Sequence, residues 1–390
     1  MTTKLIHALH RVLGAQLSAY GWRCLLSMAL GMWIAEGKKR LISLTYLVSE
    51  GALSRFFNGR RWPKEEIHKL RRQMSEELIR SWYGGRGRPP LIYLILDGTV
   101  LPKRGKQLPK LGWHYDSRID GLRWGQKLVL AVLRVGELAL PWDWRAYVNR
   151  DRCKEADFQK STEQAVEMLR EFRPPALGEV VVVTDSCFCV EPVIRAVVEQ
   201  GYSLVGWVRN DRRLEDGRYA REVPSGTVAC LRGLPLPVKI VQMYREGRHY
   251  TVISTDLDLN PAQIKRRMRK RWWCEEVIKR LKGLGLEDCQ CRGEESLERW
   301  VEWVMLLYLL AARVRWAERE GQPWLRWREV GKELAEALFS ADGLLEVSEG
   351  WMRRMLDHLQ RREPWLGPLI RLFQVEGSGG RGLQIGEGAR

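Results

Sequence analysis

Residues 180–209 read VVVVTDSCFCVEPVIRAVVEQGYSLVGWVR, and this stretch decides the fold class of the chain. It opens with an apolar run that ends at Asp185, continues as a helical segment, and closes with a second apolar run. An earlier run, LIYLIL over residues 91–96, is followed directly by Asp97. Unbroken apolar runs of this length are typical of strands buried on both faces, as in α/β sheets. The sequence therefore predicts an α/β fold in which two buried strands each end in an aspartate.

The two aspartates are the first candidates for chemistry. In open α/β sheets, functional groups collect at the carboxyl ends of strands. A carboxylate that ends an apolar run carries a desolvation cost unless a cation compensates it. A metal ion is one such cation, since carboxylates are the ligands that Mg²⁺ prefers. The alternative is that Asp97 and Asp185 each cap the turn or helix that follows, and the aspartates alone leave both interpretations open.

A third carboxylate lies in a basic segment that the pattern predicts to be one helix over residues 262–282. Four charged residues of this segment are spaced to share one helix face: Arg271, Glu275, Lys279 and Lys282. A basic face with one carboxylate suits a site that holds a phosphodiester and contributes one ligand to a metal. The alternative is a solvated face held by ion pairs. Glu276 is the rival of Glu275, but it lies about 100° around the helix.

The charge of the whole chain points to a polyanionic partner. Lys and Arg total 65 against 48 Asp and Glu, a net charge of +17. Nucleic acid is the first candidate for a globular protein this basic, and a surplus of charge for solubility is the alternative. The eight cysteines form no CxxC motif, which predicts reduced thiols and a cytoplasmic location. The apolar runs fall short of the ~20 residues that a membrane span needs, so we expect no membrane partner.

In their order along the chain, these residues resemble insertion-sequence DDE transposases of the branch marked by the signature Y-x2-R-x3-E-x6-K. Arg271, Glu275 and Lys282 match that signature with its spacing, and Met268 stands at the tyrosine position. The segment LILDGTVLPKRGK, residues 94–106, resembles the segment around the first aspartate of the family. Residues 180–209 are similar to the segment around the second.

The resemblance implies the fold and the chemistry. It assigns the catalytic and metal-binding roles to Asp97, Asp185 and Glu275, on an RNase H-like mixed sheet whose first and fourth strands present the aspartates. Two Mg²⁺ ions ~3.5–4 Å apart would support phosphoryl transfer, and Mn²⁺ would substitute. Arg271, Lys279 and Lys282 would neutralise DNA phosphates. The implied partners are double-stranded DNA, namely terminal inverted repeats and target DNA, and a second copy of the chain in a homodimer at the nucleoid of a prokaryotic cell.

The pattern along the chain predicts the following domains. Residues 1–83 form a helical domain with a possible helix-turn-helix, in which Arg55, Arg60 and Arg61 contact DNA. The remaining predicted segments are a linker (84–90), an RNase H-like core (91–208 and 257–318), a β-rich insertion domain (209–256), a C-terminal helical module (319–375) and a disordered tail (376–390).

Two other functions stay open at this level. A structure-directed nuclease of the same fold would cut DNA without joining it. A DNA-binding protein derived from a transposase that has lost activity would bind DNA regardless of Mg²⁺ and of the three carboxylates.

Overall fold

The computed structural model describes Leu13 and residues 17–35, 37–59, 62–83, 91–175, 178–245, 247–293 and 295–318. Among them are two compact units, one ending at Pro63 and the other beginning at Lys64. The predicted linker, C-terminal module and tail lie outside the described residues.

The N-terminal unit is helical, as its periodicity predicts. It contains α1 (Ala19–Ile34), a 3-10 turn (Leu41–Leu44) and α2 (Glu50–Asn58). The Ser27 hydroxyl of α1 donates a hydrogen bond to the Leu44 carbonyl at 2.6 Å, which fixes the 3-10 turn against α1. The first helix of the predicted helix-turn-helix is thus a single 3-10 turn, and the arrangement differs from two α-helices joined by three or four residues.

The second unit begins with α3 (Lys64–Tyr83) and then forms four strands, β1 (Ile92–Pro102), β2 (Gly112–Asp116), β3 (Gly121–Val135) and β4 (Leu138–Tyr147). An α/β segment follows, with α4 (Ser161–Glu171), β5 (Val180–Thr184), α5 (Glu191–Glu199) and β6 (Ser203–Val208). The remaining elements are β7 (Val228–Leu231), β8 (Leu234–Arg245), β9 (Arg248–Ser254), α6 (Pro261–Met268), α7 (Trp272–Gly283) and α8 (Ser296–Glu318).

All nine described strands belong to one mixed sheet, which confirms the predicted α/β class. The order is β2-β3-β1-β5-β6-β9-β8-β7, and β4 pairs with β3. Strand β1 lies between β3, to which it is antiparallel, and β5, to which it is parallel, and β5 is also parallel to β6. Asp185 follows the fifth strand in chain order and not the fourth, because the short strand β2 precedes β3.

The predicted insertion domain is β-rich, but its strands do not form a separate sheet. Strand β9 pairs antiparallel with β6, and β8 pairs antiparallel with β9, so residues 228–254 extend the central sheet. Tertiary pairing decides this arrangement, since an edge strand such as β6 can accept a further strand from any part of the chain.

Helix α3 belongs to the second unit, so the helical domain predicted to end at residue 83 ends earlier. The cause is a buried ion pair. Arg71 of α3 is fully buried and donates from Nε to Glu302 Oε2 of α8 at 2.7 Å. Because an unpaired buried charge is very costly, this contact holds α3 against α8.

Candidate active site

Asp97 lies in the middle of β1 and not at its end. The strand runs on to residue 102 because Val100 and Leu101 are also buried. The Asp97 carboxylate is itself buried and has two partners. Its Oδ1 accepts a hydrogen bond from the Gly98 N–H at 2.8 Å, and its Oδ2 accepts one from Arg271 Nη1 at 2.6 Å. A cation therefore compensates this carboxylate, as the desolvation argument requires.

Asp185 directly follows β5 and organises the turn after it. Its Oδ1 accepts hydrogen bonds from the N–H groups of Cys187 at 2.9 Å and Phe188 at 3.2 Å. The capping alternative raised by the sequence is thus realised for this residue. Capping does not exclude a second role, because a carboxylate has two oxygens and about four acceptor sites.

The parallel pairing of β1 with β5 brings the two aspartates together. Leu96 pairs with Thr184, so Asp97 and Asp185 occupy the next positions on adjacent strands, which lie about 4.8 Å apart. Gly206 on β6 allows the third strand to pack closely here. A Cβ at Gly206 would lie 2.5 Å from Thr184 Oγ1, closer than real contacts allow.

The predicted single helix is broken at the site. Helix α6 ends at Met268, a 3-10 turn covers Arg269–Arg271, and α7 begins at Trp272. Met268, at the tyrosine position of the signature, is 1% exposed and packs in the core. The break places Arg271 at the junction, with Glu275 one turn further along α7.

Arg271 joins the strands to the helix. Besides its bond to Asp97, the guanidinium donates from Nη2 to Glu275 Oε1. It also lies over the Trp207 ring, 4.8 Å from the ring centroid, and Trp207 stacks on Tyr250 with centroids 4.6 Å apart. Sequence reasoning missed Trp207 and Tyr250. The sequence does contain one signal for Trp207. It lies in the predicted strand that follows the strand ending at Asp185.

Four charged side chains are electrostatically coupled at this site: Asp97, Asp185, Glu275 and Arg271. Burial, followed by the charge of Asp185, raises the pKa of Asp97 to about 7, while Arg271 lowers it and Glu275 raises it further. Burial lowers the pKa of Arg271, but the three carboxylates outweigh burial and the net pKa is raised. Three carboxylates thus share one cation, and the cluster carries excess negative charge when all are ionised.

The side chains are not arranged as a metal cage. Within the described part of the chain, no three Asp, Glu, His or Cys side chains are disposed to hold a metal ion. At this site the reason is the Arg271 guanidinium, which bridges Asp97 and Glu275. The donor set nevertheless fits Mg²⁺, because Asp97, Asp185 and Glu275 all offer carboxylate oxygens and Asp97 is buried beside a like charge.

Glu275 and Glu276 have different surroundings. The Glu275 side chain is 49% exposed and belongs to the Arg271 cluster. The Glu276 side chain is 19% exposed and pairs with Arg280 at 3.6 Å. The geometry therefore brings Glu275 and not Glu276 to the two aspartates.

The two lysines of the predicted basic face also differ. Lys282 Nζ donates to the Val100 carbonyl at 3.2 Å and pairs with Glu287 at 3.2 Å. Lys279 is exposed and makes no ion pair with another described residue. Lys282 is thus engaged inside the protein, while Lys279 is available to a ligand.

Of the arginines predicted near the helix-turn-helix, Arg55 is exposed on α2. Arg60 and Arg61 lie outside the described residues. None of the helices in the described ranges combines the length and the apolar character that crossing a bilayer requires.

Comparison with known proteins identifies the family and the fold of the chain. Residues 33–227, half of the chain, match the DDE superfamily endonuclease family, and residues 159–310 match the transposase DDE domain. No curated protein sequence matches the chain. The fold is similar to that of a piggyBac transposase, solved by cryo-electron microscopy as a synaptic complex with hairpin DNA. The TM-score is 0.52 at 12% identity, covering 88% of this chain and 75% of that chain. This likeness shows the fold, with its RNase H-like core. The family match over half of the chain places the chain in the DDE superfamily of endonucleases, and the transposase DDE domain match identifies it as a DNA transposase.

Proposed function

We propose that the chain cuts the ends of an insertion sequence and joins them to target DNA by metal-dependent phosphoryl transfer. The observation that carries this proposal is the cluster of Asp97, Asp185 and Glu275, gathered from two adjacent strands and a helix around Arg271. The net charge of +17 supports DNA as the substrate.

The three carboxylates are the proposed ligands of two Mg²⁺ ions, for which Mn²⁺ would substitute. When bound, the ions would activate a water or 3′-OH nucleophile and stabilise the leaving oxygen. Arg271 makes room by releasing Asp97 and Glu275. Its guanidinium then turns to a phosphate of the DNA, for which a planar cation with several donors is suited.

The other residues of the site position the substrate. Lys279, exposed on the same helix as Glu275, contacts a DNA phosphate. Lys282 can contact a phosphate only if it gives up its contacts with the Val100 carbonyl and Glu287. Its main role is therefore to hold α7 on β1. Before metal and DNA bind, Trp207 keeps Arg271 beside the carboxylates.

Double-stranded DNA is the proposed partner, as terminal inverted repeats and as target. The piggyBac neighbour is described as a synaptic complex with hairpin DNA, and a homodimer on paired ends would be the equivalent assembly here. We propose that Arg55, Arg60 and Arg61 add phosphate contacts, and that the protein acts at the nucleoid of a prokaryotic cell.

A cleavage and joining assay tests the proposal. Purified protein would be mixed with DNA carrying the flanks of its own gene, with Mg²⁺, with Mn²⁺ or with a chelator. We expect 3′-OH ends and joined products from the wild type with metal, and neither from Asp97→Asn. Cleavage without joined products would favour the nuclease. DNA binding without any cleavage would favour the inactive DNA-binding protein.

A further inference from the structure

The two-stranded ribbon formed by β2 and residues 121–125 of β3 exposes large apolar side chains on one face. On β2, Trp113 and Tyr115 point outward and are each 58% exposed. Their cross-strand partners are Trp124 and Leu122, and directly opposite residues share a face. The Trp113 and Trp124 rings lie 5.6 Å apart. We refer to Trp113, Tyr115, Leu122 and Trp124 as the aromatic face.

Within the described ranges, the Trp113, Tyr115 and Leu122 side chains of the aromatic face stay mostly exposed, while Trp124 is half-buried. The opposite face of β2 carries His114 and Asp116, which are 4% and 5% exposed. The His114 ring packs edge-on to Tyr147, with centroids 5.7 Å apart. Strand β2 is also the first strand of the sheet order, where an exposed apolar surface invites association. An apolar patch that no described residue covers indicates a binding surface.

Cations border the aromatic face. The Arg152 guanidinium lies over the Trp124 ring at 5.5 Å from its centroid. The Trp124 indole N–H donates to the Gly105 carbonyl at 3.0 Å, which fixes the loop that carries Arg104 and Lys106. Both of these side chains are exposed, and neither makes an ion pair with any residue in the described ranges. Their charge complements a polyanion.

Strands β1 and β3 connect the aromatic face to Asp97. Arg118, in the turn of the ribbon, donates to the Val100 carbonyl of β1 at 3.3 Å. Gly125 of β3, the residue after Trp124, pairs with Pro102 of β1, five positions after Asp97. Five strand positions span about 17 Å. A DNA strand held at the carboxylates would therefore reach the ribbon within a few nucleotides.

We propose that the aromatic face binds unpaired DNA bases next to the scissile phosphate. Trp113 and Tyr115 stack on the bases, while Arg104, Lys106 and Arg152 contact the neighbouring phosphates, the combination that single-stranded DNA sites use. The inference rests on the proposed DNA cleavage. A second copy of the chain fits less well, because the cations beside the face and the net charge of +17 would repel a like-charged copy.

The test is the affinity of the full chain for a labelled single-stranded oligonucleotide and for its duplex, measured by fluorescence anisotropy without divalent metal. Trp113→Ala and Tyr115→Ala should each weaken single-strand binding about tenfold. Their dependence on salt should match that of the wild type, since no phosphate contact is lost. Trp113→Phe should keep most of the affinity. Tyr244→Ala is the matched control, because this tyrosine of β8 is 77% exposed and far along the sheet order.

Wild-type affinity in both alanine variants, or an equal loss in Tyr244→Ala, would overturn the inference. The inference would also be overturned if the wild type sediments as a dimer and Trp113→Ala sediments as a monomer. The aromatic face would then bind a second copy of the chain. Thermal unfolding of each variant establishes that it is folded. A wild type that binds neither form of DNA contradicts the proposed function itself. A wild type that cuts DNA while the alanine variants bind single strands normally contradicts only the role of the aromatic face.

Discussion

Two arginines of the second unit, Arg71 and Arg271, each bind carboxylates, yet they do so in opposite ways, and Arg71 is buried while Arg271 is half-buried. Arg71 is fully buried, and both oxygens of its partner Glu302 are engaged. Arg71 Nε donates to Oε2 at 2.7 Å, and the Trp144 indole N–H donates to Oε1 at 2.7 Å. One buried cation meets one buried anion, and Arg71 Nη1 also donates to the Trp142 carbonyl.

Arg271 instead bridges two carboxylates that repel each other, and a third lies close by. Asp97 is buried, but the Glu275 side chain is 49% exposed. The charges do not balance, so a further cation is favourable at Arg271 and has no place at Arg71. The Arg71–Glu302 pair therefore stabilises the fold. The Arg271 pairs instead hold the carboxylates of the proposed active site together.

Glu302→Gln should produce the largest loss of stability. The change leaves the Arg71 charge buried without a counter-charge, and we expect the free energy of unfolding to fall by about 3–5 kcal/mol. Glu77→Gln is the control, because its pair with Arg313 is exposed and should contribute less than about 1 kcal/mol. Urea unfolding of both variants measures the difference. Equal losses would mean that the buried pair does not hold α3 on α8.

The same pair predicts how stability depends on acid. Burial alone raises the pKa of Glu302, but Arg71 and His68 outweigh burial and lower it to about 2. A carboxylate with a depressed pKa stabilises the fold above its unfolded pKa of about 4.5. That stability is lost as the pH falls towards 2. Urea midpoints at a series of pH values should therefore drop between pH 4.5 and 2 in the wild type, and Glu302→Gln should show a smaller drop.

Arg271→Gln should lower the free energy of unfolding less than Glu302→Gln does, and metal should reverse the loss. Without the guanidinium the carboxylates repel each other, and we expect a loss of about 1–3 kcal/mol in a chelator. Saturating Mn²⁺ should stabilise this variant more than it stabilises the wild type. Thermal unfolding with and without Mn²⁺ measures both, and Arg71→Gln is the control that metal should not rescue. Equal stabilisation of Arg271→Gln and wild type would show that the guanidinium does not compete with metal.

Much of the candidate site is predictable from the sequence. Asp185 is marked by the buried run before it, and Glu275 by its spacing from Arg271 and Lys282. The run before Asp97 predicts its strand, but it cannot show that the strand continues past the aspartate. That continuation depends on pairing with β3 over the whole length of β1.

Contacts between distant parts of the chain were beyond the sequence. Arg71 and Glu302 lie 231 positions apart, and nothing local in α3 shows that a charge there is buried. The same holds for the Trp207–Tyr250 stack, because β9 joins β6 only through sheet pairing. Local pattern predicts the elements, while their neighbours depend on the register of the sheet.

Lys279→Ala should have the smallest effect on the active site. Loss of one phosphate contact should lower DNA affinity a few-fold and reduce the slope of log affinity against log salt by about 1. Lys282→Ala should change that slope less, because Lys282 is held by Val100 and Glu287. Anisotropy titrations at several salt concentrations compare the two. If Lys282→Ala reduces the salt slope more than Lys279→Ala does, the roles assigned to the two lysines would be reversed.

The most direct test of the site is a comparison of Glu275→Gln with Glu276→Gln in the DNA cleavage assay with Mg²⁺, at protein concentrations that give equal DNA binding. The two residues are adjacent on α7, so both changes remove the same charge from the same helix. We predict that Glu275→Gln lowers the cleavage rate by a factor on the order of 10³ and that Glu276→Gln cleaves at close to the wild-type rate. Normal cleavage by Glu275→Gln, together with loss of cleavage in Glu276→Gln, would contradict this prediction. Glu276 would then be the third carboxylate of the site.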